Sequence, residues 1–368
     1  MVPGRGAGGS GQDYPDAMRS TMGFALAIAL SVLLTAPAFA ATGGLTEAVG
    51  RMPTGTTDMG FTDWERIRES LGAQDVTGTS PIDDKMAVVM ATTQREAAAA
   101  GFGAAYLQRH RDAWGWDTLD VDWEAIYSVD GPPVAIVHLR EGVDMDAIAD
   151  RYDAYGFTTE EVGDVIVRSH ELDASAEWMG TTELGVSNTA FLDDGRTLMF
   201  SSDREALADA LGHRHSMLVP GATGVMDALG DPSAAWLVFG PSCSAFSPLP
   251  FDPFDPDASI GPLPSGQPLH PWTALGIGYQ RPDWQPVGRI AMGFLDPAHA
   301  EADLGPRSTI ARDGMSLRVQ RPYSEAVFGL EDARVEGTTL VLDVSPVDDM
   351  PRRLFQMLQA RDMAFAGC

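Results

Sequence analysis

The feature that most limits the folds open to this chain is one order of predicted elements that occurs twice. Residues 125–139 and 274–294 each alternate apolar and polar positions around a turn, which predicts a β-hairpin. In both regions the pattern continues with a helix, a strand, a second hairpin and a closing helix. The second hairpins turn at Asp194-Gly195 and at Glu336-Gly337.

Helix signals complete each copy. In the first copy, apolar residues spaced three and four apart predict a helix over 143–155, and Ser202-Asp203-Arg204-Glu205 predicts the cap of a helix ending at Leu211. The second copy has a short helix at 296–304, a strand at 315–320 and a cap at Ser345-Pro346-Val347-Asp348. The apolar stripe of its final helix consists of Val347, Met350, Leu354 and Leu358.

The fold class follows from the burial that each copy needs. Each antiparallel sheet must cover an apolar face with its own helices, which predicts an α+β protein of two related antiparallel sheet-plus-helix modules. Helix signals at 62–71, 81–100 and 104–114 predict an N-terminal helical cap. The predicted organisation is 1–40 signal peptide, 41–120 helical region, 121–212 first module, 213–271 connecting segment and 272–368 second module. Chance similarity of two α+β units is the alternative.

The connecting segment is dominated by proline. Residues 240–271 contain nine prolines in 32 positions, a density that forbids a helix or a central strand. The segment is expected to be extended or coiled. A linker, a lid and a wrapping arm all fit a loop of this length.

The N-terminus carries an export pattern. Arg19 precedes an apolar run from Phe24 to Leu34, and Ala38-Phe39-Ala40 supplies small residues at a cleavage site, which predicts a signal peptide removed after Ala40. An uncleaved anchor would need a longer apolar run. Translation from Met18 or Met22 would make a more typical signal, and the protein is expected to be secreted or extracytoplasmic.

Charge argues against one class of partner. The chain has 52 acidic and 25 basic residues, and its net charge of −27 is unchanged by loss of residues 1–40 because two of each sign are removed. Such a surface repels phosphate backbones, so nucleic-acid binding is not expected. The mature sequence has no apolar run long enough for a membrane span.

Two cysteines, Cys243 and Cys368, are the only thiols. In an exported protein an intramolecular disulfide between them is the simplest expectation, and two free thiols or a bond between chains are the alternatives. No neighbouring histidine would activate either one as a nucleophile.

Motifs for catalysis, metal binding or cofactor binding are missing from the sequence, so no catalytic, metal or cofactor residue is predicted. The weak candidates each have a simpler explanation. Asp120, Asp122 and Glu124 suit half of a cation site or a solvated strand face with Trp123 buried behind it. The other candidates are Asp252, Asp255 and Asp257, which suit an acidic linker, and His213 with His215, which suit a solvated helix end.

The tryptophans form two groups in the sequence, Trp114 with Trp116 and Trp123, and Trp272 with Trp284. Aromatic side chains near a sheet edge can form a carbohydrate or lipid platform. Buried packing is the commoner role of such residues.

Four stretches together carry a resemblance: TDWERIRESLG, DVDWEA, NTAFLDDGRTLMFSSDREAL and RDMAFAGC. Over nearly the whole mature chain the sequence resembles uncharacterised exported proteins of high-GC bacteria, a group with no established activity. The resemblance implies export and a paired terminal cysteine, and it assigns no site residue.

Duplicated architecture without a catalytic motif favours a non-catalytic binding protein at the cell envelope. The ligand or partner, a protein, a lipid or a glycan, is expected in the groove between the modules or on the proline-rich segment. The alternative is a secreted hydrolase with acidic residues in that groove. A purely structural role would predict no pocket.

Overall fold

The computed structural model describes residues 43–94, 107–171, 186–192, 195–212, 219–240, 243–246, 269–280 and 287–368. Twelve of its strands form one antiparallel sheet, and two short strands pair separately. The strands are β1 (Asp58–Asp63), β2 (Val121–Ser128), β3 (Val134–Leu139), β4 (Thr158–Val162), β5 (Val165–Ser169), β6 (Asn188–Phe191), β7 (Thr197–Ser201), β8 (Ala234–Phe239), β9 (Ala274–Gln280), β10 (Val287–Gly293), β11 (Met315–Ser316), β12 (Arg321–Pro322), β13 (Phe328–Glu336) and β14 (Thr339–Pro346).

Ten α-helices lie within the described ranges, and they cover both faces of the sheet. They are α1 (Gly44–Gly50), α2 (Trp64–Ser70), α3 (Ile82–Gln94), α4 (Leu107–Trp114), α5 (Met145–Ala154), α6 (Arg204–Gly212), α7 (Ala222–Leu229), α8 (Pro297–Asp313), α9 (Tyr323–Ala326) and α10 (Arg352–Gln359). Each predicted N-terminal helix is present in part, and α1 precedes them as a further helix of the cap.

The sheet consists of two halves with the same strand order. Reading outward from the centre, the first half runs β1-β2-β3-β7-β6 and the second half runs β8-β9-β10-β14-β13. The first half continues through β5 to β4, whose counterparts β11 and β12 pair outside the sheet. A mixed α+β fold with repeated sheet-and-helix organisation is therefore confirmed.

The two halves meet at β1 and β8, which pair antiparallel in the middle of the sheet. Gly60 lies opposite Trp236, with Asp58 opposite Val238 and Thr62 opposite Ala234. The strand pair that joins the halves is therefore itself made of one strand from each. We call this β1–β8 junction the seam.

Alternation of side chains places a separate core on each face. Met59, Phe61 and Leu237 point to one face, where α1, α6 and α7 cover them. On the opposite face, α2, α4 and α5 pack on the first half, whereas α8 and α10 pack on the second half. Gly276 allows α7 to approach closely, because a Cβ there would lie 2.6 Å from Val225 Cγ1.

The repeat breaks down at the closing helices. The hairpins β6–β7 and β13–β14 occupy equivalent places, and Gly337 has the left-handed φ of +60° that its turn needs. However, α6 covers one face of the sheet and α10 covers the other. The backbones of Asp348 and Asp349, both with positive φ, change the direction of the chain between β14 and α10.

This change of direction also corrects the predicted start of the final helix. Ser345 and Pro346 belong to β14, where Ser345 lies opposite Gly329, so the predicted cap is strand. The helix begins at Arg352, after a 3₁₀ turn at Val347–Asp349. Leu354 and Leu358 are buried as predicted, whereas Val347 and Met350 precede the helix and are only half-buried.

Several elements lie where sequence analysis predicted none. Strand β1 lies inside the region assigned to helices, and α7 and β8 lie inside the connecting segment 213–271. The strand predicted over 315–320 is limited to Met315 and Ser316, because residues 317–320 form a turn. The predicted domain boundaries at 40, 120, 212 and 271 stay predictions.

Some predicted features lie outside the described residues. These are the signal peptide with its cleavage site after Ala40, the proline-rich stretch between Phe246 and Leu269, and the end of the helix beyond Gln94. None of the helices described is long and apolar enough to cross a bilayer.

The C-terminus is bound into the second half by one buried arginine and a disulfide. Arg307 of α8 donates to the carbonyl oxygens of Phe365 and Gly367 at 2.6 and 3.0 Å, and its Nε lies 2.9 Å from Asp303 Oδ2. Burial lowers the pKa of Arg307, and Asp303 opposes this effect. Cys243 is bonded to Cys368 across 125 residues, which confirms the predicted pairing.

The disulfide yields a stability prediction. Replacing Cys243 and Cys368 together by serine frees the unfolded chain from a long loop, so the free energy of unfolding should fall by about 2–5 kcal/mol. Urea unfolding of the native protein and of the double variant measures this decrease in the free energy of unfolding. The native protein is also unfolded with its disulfide reduced. An equal urea midpoint for the variant and the oxidised native protein would contradict it.

A second prediction concerns the cap of α2. The Asp63 carboxylate accepts the Arg66 amide at 2.8 Å, and burial raises the Asp63 pKa to about 6. The folded state therefore binds this proton more tightly than the unfolded state does. The resulting stabilisation is complete below about pH 4 and is lost as the pH rises through about 6.

Asp63→Asn keeps a capping oxygen and removes the charge. The variant should exceed the native protein in unfolding free energy by about 1–3 kcal/mol at pH 7.5, with no difference near pH 4. Urea unfolding at both pH values measures this. If the variant were no more stable than the native protein at pH 7.5, burial of the charged Asp63 carboxylate would not destabilise the fold, and the prediction would be wrong.

Candidate functional site

Two of the three carboxylates of the 120–124 stretch form ion pairs with arginines. Asp122 lies 3.1 Å from Arg68 and 2.8 Å from Arg196, while Asp120 pairs with Arg111. Asp120 and Glu124 are buried, at 5% and 1% exposure. The solvated strand face predicted for these residues is therefore wrong, although Trp123 is buried as expected.

The chain's single lysine belongs to the same buried network. Lys85 Nζ lies 2.8 Å from Asp117 Oδ2 and 3.1 Å from the Gly78 carbonyl oxygen. Burial raises the Asp117 pKa above its ordinary value, and the Lys85 hydrogen bond opposes that rise. Gly78 has no room for a Cβ, which would lie 2.1 Å from Asp120 Oδ2. These ion pairs attach the N-terminal helices to the sheet.

The other weak candidates are either outside the described residues or buried. Asp252, Asp255, Asp257, His213, His215 and Trp284 all lie outside the described residues. Trp114, Trp116 and Trp272 are fully buried, so packing is their role and they form no platform. In the described part of the chain, no group of three histidine, cysteine or acidic side chains could hold a metal ion.

A cavity of about 460 Å³ opens at the seam and is the candidate site. It lies on the sheet face that carries α8 and α10. Trp236 and Val238 form its floor on β8, and Asp58 continues that floor on β1. Its remaining lining residues are Thr57, Phe246, Leu358, Gln359 and Arg361. We call this cavity the seam groove.

The seam groove exists because of how the sequence folds around the seam. Each half supplies helices for its own strands, and α10 ends at Gln359, beside the outermost half-buried residues of β8. Arg361 follows in a left-handed conformation with φ of 54°, and its side chain is exposed. Trp236 and Val238 are therefore only partly covered by protein.

The described lining of the groove combines apolar and polar side chains. Trp236, Val238, Phe246 and Leu358 are apolar, whereas Asp58, Gln359 and Arg361 offer polar groups. Ser128 Oγ donates to Asp58 Oδ1 at 2.9 Å, which fixes that carboxylate at the edge of the groove. An apolar pocket with a few placed polar groups can hold a small amphipathic molecule.

The hydrolase alternative needs two carboxylates, or a serine, a histidine and an acid, at one site. Among the described residues that line the seam groove, Asp58 is the one carboxylate and there is no histidine. The structure thus has a cavity where the two halves meet, and binding there stays a prediction.

Sequence analysis missed Trp236, the largest side chain in the groove. The signal available was the apolar run Ala234–Phe239, six residues that suit a buried strand. This run was not predicted as a strand because it lies inside the predicted connecting segment 213–271. Arg361 carries no sequence signal, because its place in the groove depends on the left-handed turn after α10.

Comparison with known proteins adds no family. No protein-family model matches the chain, and no curated protein is similar to it. Among solved structures, crystal forms I and III of TP0453 align at 8% and 9% identity with a TM-score of 0.38. Each alignment covers 85% of this chain and 97% of that protein. Likeness at this level does not indicate a common fold.

Proposed function

We propose that this is an exported, non-catalytic binding protein of the cell envelope whose ligand occupies the seam groove. The observation that carries the proposal is a partly uncovered tryptophan in a cavity of about 460 Å³ between the two halves of one sheet. The signal-like N-terminus and the disulfide support export, because disulfides persist in oxidising compartments.

The lining favours a small amphipathic ligand. Trp236 and Val238 offer an apolar surface, and Arg361 and Gln359 offer hydrogen-bond donors. An envelope molecule with a sugar or acyl portion and a polar end, or a short peptide, would satisfy both. The net charge of −27 argues against nucleic acid.

Groove occupancy is tested by thermal unfolding of the mature protein against alkyl glycosides, fatty acids, short peptides and oligosaccharides. We expect one class to raise the melting temperature of the native protein. Truncation of an aromatic anchor typically costs at least about 1–2 kcal/mol of binding, so Trp236→Ala should weaken that class about tenfold or more. Isothermal titration measures the affinity.

Leu295→Ala is the matched control, since Leu295 is 71% exposed and does not line the groove. It should leave the affinity unchanged. Trp236→Phe keeps a ring in the groove and separates loss of binding from loss of folding. No response to any ligand class, or equal affinities for native protein and Trp236→Ala, would overturn the proposal.

A further inference from the structure

The second half of the molecule has another cavity, of about 410 Å³, which shares no lining residue with the seam groove. It lies among the turn between β11 and β12, helix α9, the 3₁₀ turn at Val347–Asp349 and helix α10. We call it the arginine cavity, because Arg318, Arg321 and Arg353 line it.

The arginine cavity differs in charge from the chain as a whole. Its three arginines are matched by three carboxylates, those of Glu325, Asp348 and Asp362, so the cavity is neutral within a chain of net charge −27. Most of this acidic protein would repel an anion. A neutral cavity with three guanidinium groups offers an anion far less repulsion.

Two of the three arginines retain donors for a ligand. Arg321 Nη2 lies 3.1 Å from Glu325 Oε2, and Arg353 Nη2 lies 3.1 Å from Asp348 Oδ2. Each ion pair uses one nitrogen of a guanidinium that has five N–H groups. Arg353 Nη1 also donates to the Ala326 carbonyl oxygen at 3.2 Å, and both guanidinium groups still keep further N–H groups. Both pairs are partly open to solvent, so an incoming anion could share the same guanidinium groups.

Arg318 is positioned by its backbone and leaves its side chain available. Asp362 accepts hydrogen bonds from the amides of Leu317 at 2.7 Å and Arg318 at 3.3 Å, which fixes the turn that carries Arg318. Within the described residues the Arg318 guanidinium has no ion pair. The Asp362 carboxylate is thus occupied by the main chain and by the Ser316 hydroxyl, while the exposed Arg318 side chain lines the cavity.

Backbone strain is concentrated around the same cavity. The described chain has four non-glycine residues with positive φ: Gln320, Asp348, Asp349 and Arg361. Asp348 lines the cavity, Gln320 lies between the lining residues Val319 and Arg321, and Arg361 precedes Asp362. Strained backbone of this kind persists where the surrounding structure holds it, and it is frequent at ligand sites.

Of the other six described lining residues, Ser316 and Gln356 are polar and four are apolar. The apolar ones are Val319, Ala326, Val327 and Met357, and Val319 is 50% exposed. Leu317, in the same turn, is 43% exposed. A ligand with a charged group alone would leave this surface in water, whereas one with an apolar body would cover it.

We propose that the arginine cavity is a second binding site, specific for a small organic anion whose carboxylate or phosphate contacts Arg318 and whose apolar body lies against Val319 and Met357. The two anionic groups share the same guanidinium chemistry. This site is independent of the proposed function of the seam groove.

Titration of the mature protein with hexanoate, phenyl phosphate and inorganic phosphate tests the proposal by isothermal calorimetry. We expect hexanoate or phenyl phosphate to bind at least tenfold more tightly than inorganic phosphate, and the tighter of the two identifies the anionic group. Arg318→Gln should weaken that binding at least tenfold. Arg312→Gln, an exposed arginine outside the cavity, should leave it unchanged.

Circular dichroism and thermal unfolding show whether Arg318→Gln remains folded, and Arg318→Lys, which keeps the charge, should recover part of the affinity. Trp236→Ala should bind the anion as the native protein does, which separates this site from the seam groove. No binding of either organic anion, or equal weakening by Arg318→Gln and Arg312→Gln, would overturn the proposal.

Discussion

The backbone pairing of β1 with β8 is the interaction on which the rest of the structure depends. Five residues of each strand, Asp58–Thr62 and Ala234–Val238, are in register. Without this pairing each half would expose an unpaired strand, and such an edge is a template for association with other chains. The pairing converts two sheets into one and leaves the ends of a single sheet at β4 and β13.

The seam groove follows from the same junction. Each half contributes helices that pack on its own strands. On the face of α8 and α10, these helices leave Trp236 and Val238 partly uncovered. Phe246, from the segment that connects the halves, completes the described lining of this cavity. The ion network of Lys85, Asp117 and Asp120 and the C-terminal anchor at Arg307 hold the surrounding layers in place.

Local patterns predicted the elements that depend on neighbouring residues. Hairpins turning at Gly195 and Gly337 form because their strands alternate and their turns accept a left-handed glycine. The same reasoning failed for β1 and β8, which pair with each other across more than 170 residues. Strand β1 is short and contains Gly60, so its own pattern is weak, and only the tertiary pairing makes it a central strand.

The candidate site was less predictable than the fold, again for physical reasons. A groove between modules could be inferred from duplication, but its residues could not, because they converge from β1, β8 and the end of α10. The burial of Asp120 and Glu124 could not be predicted from the sequence, because an alternating pattern does not show which face of a strand other parts of the chain will cover. Arg68 and Arg196 reach Asp122 from 54 and 74 residues away.

Native-state hydrogen exchange of the mature protein tests the central claim, that the seam makes one cooperative sheet, most directly. Amide protection of β1 and β8 should be lost only by global unfolding, with the same free energy and denaturant dependence as for β3 and β10. The opposite result would be opening of β1 and β8 at a lower free energy, with protection kept in β3 and β10. The halves would then be separate units, and a groove between them would not be a fixed site.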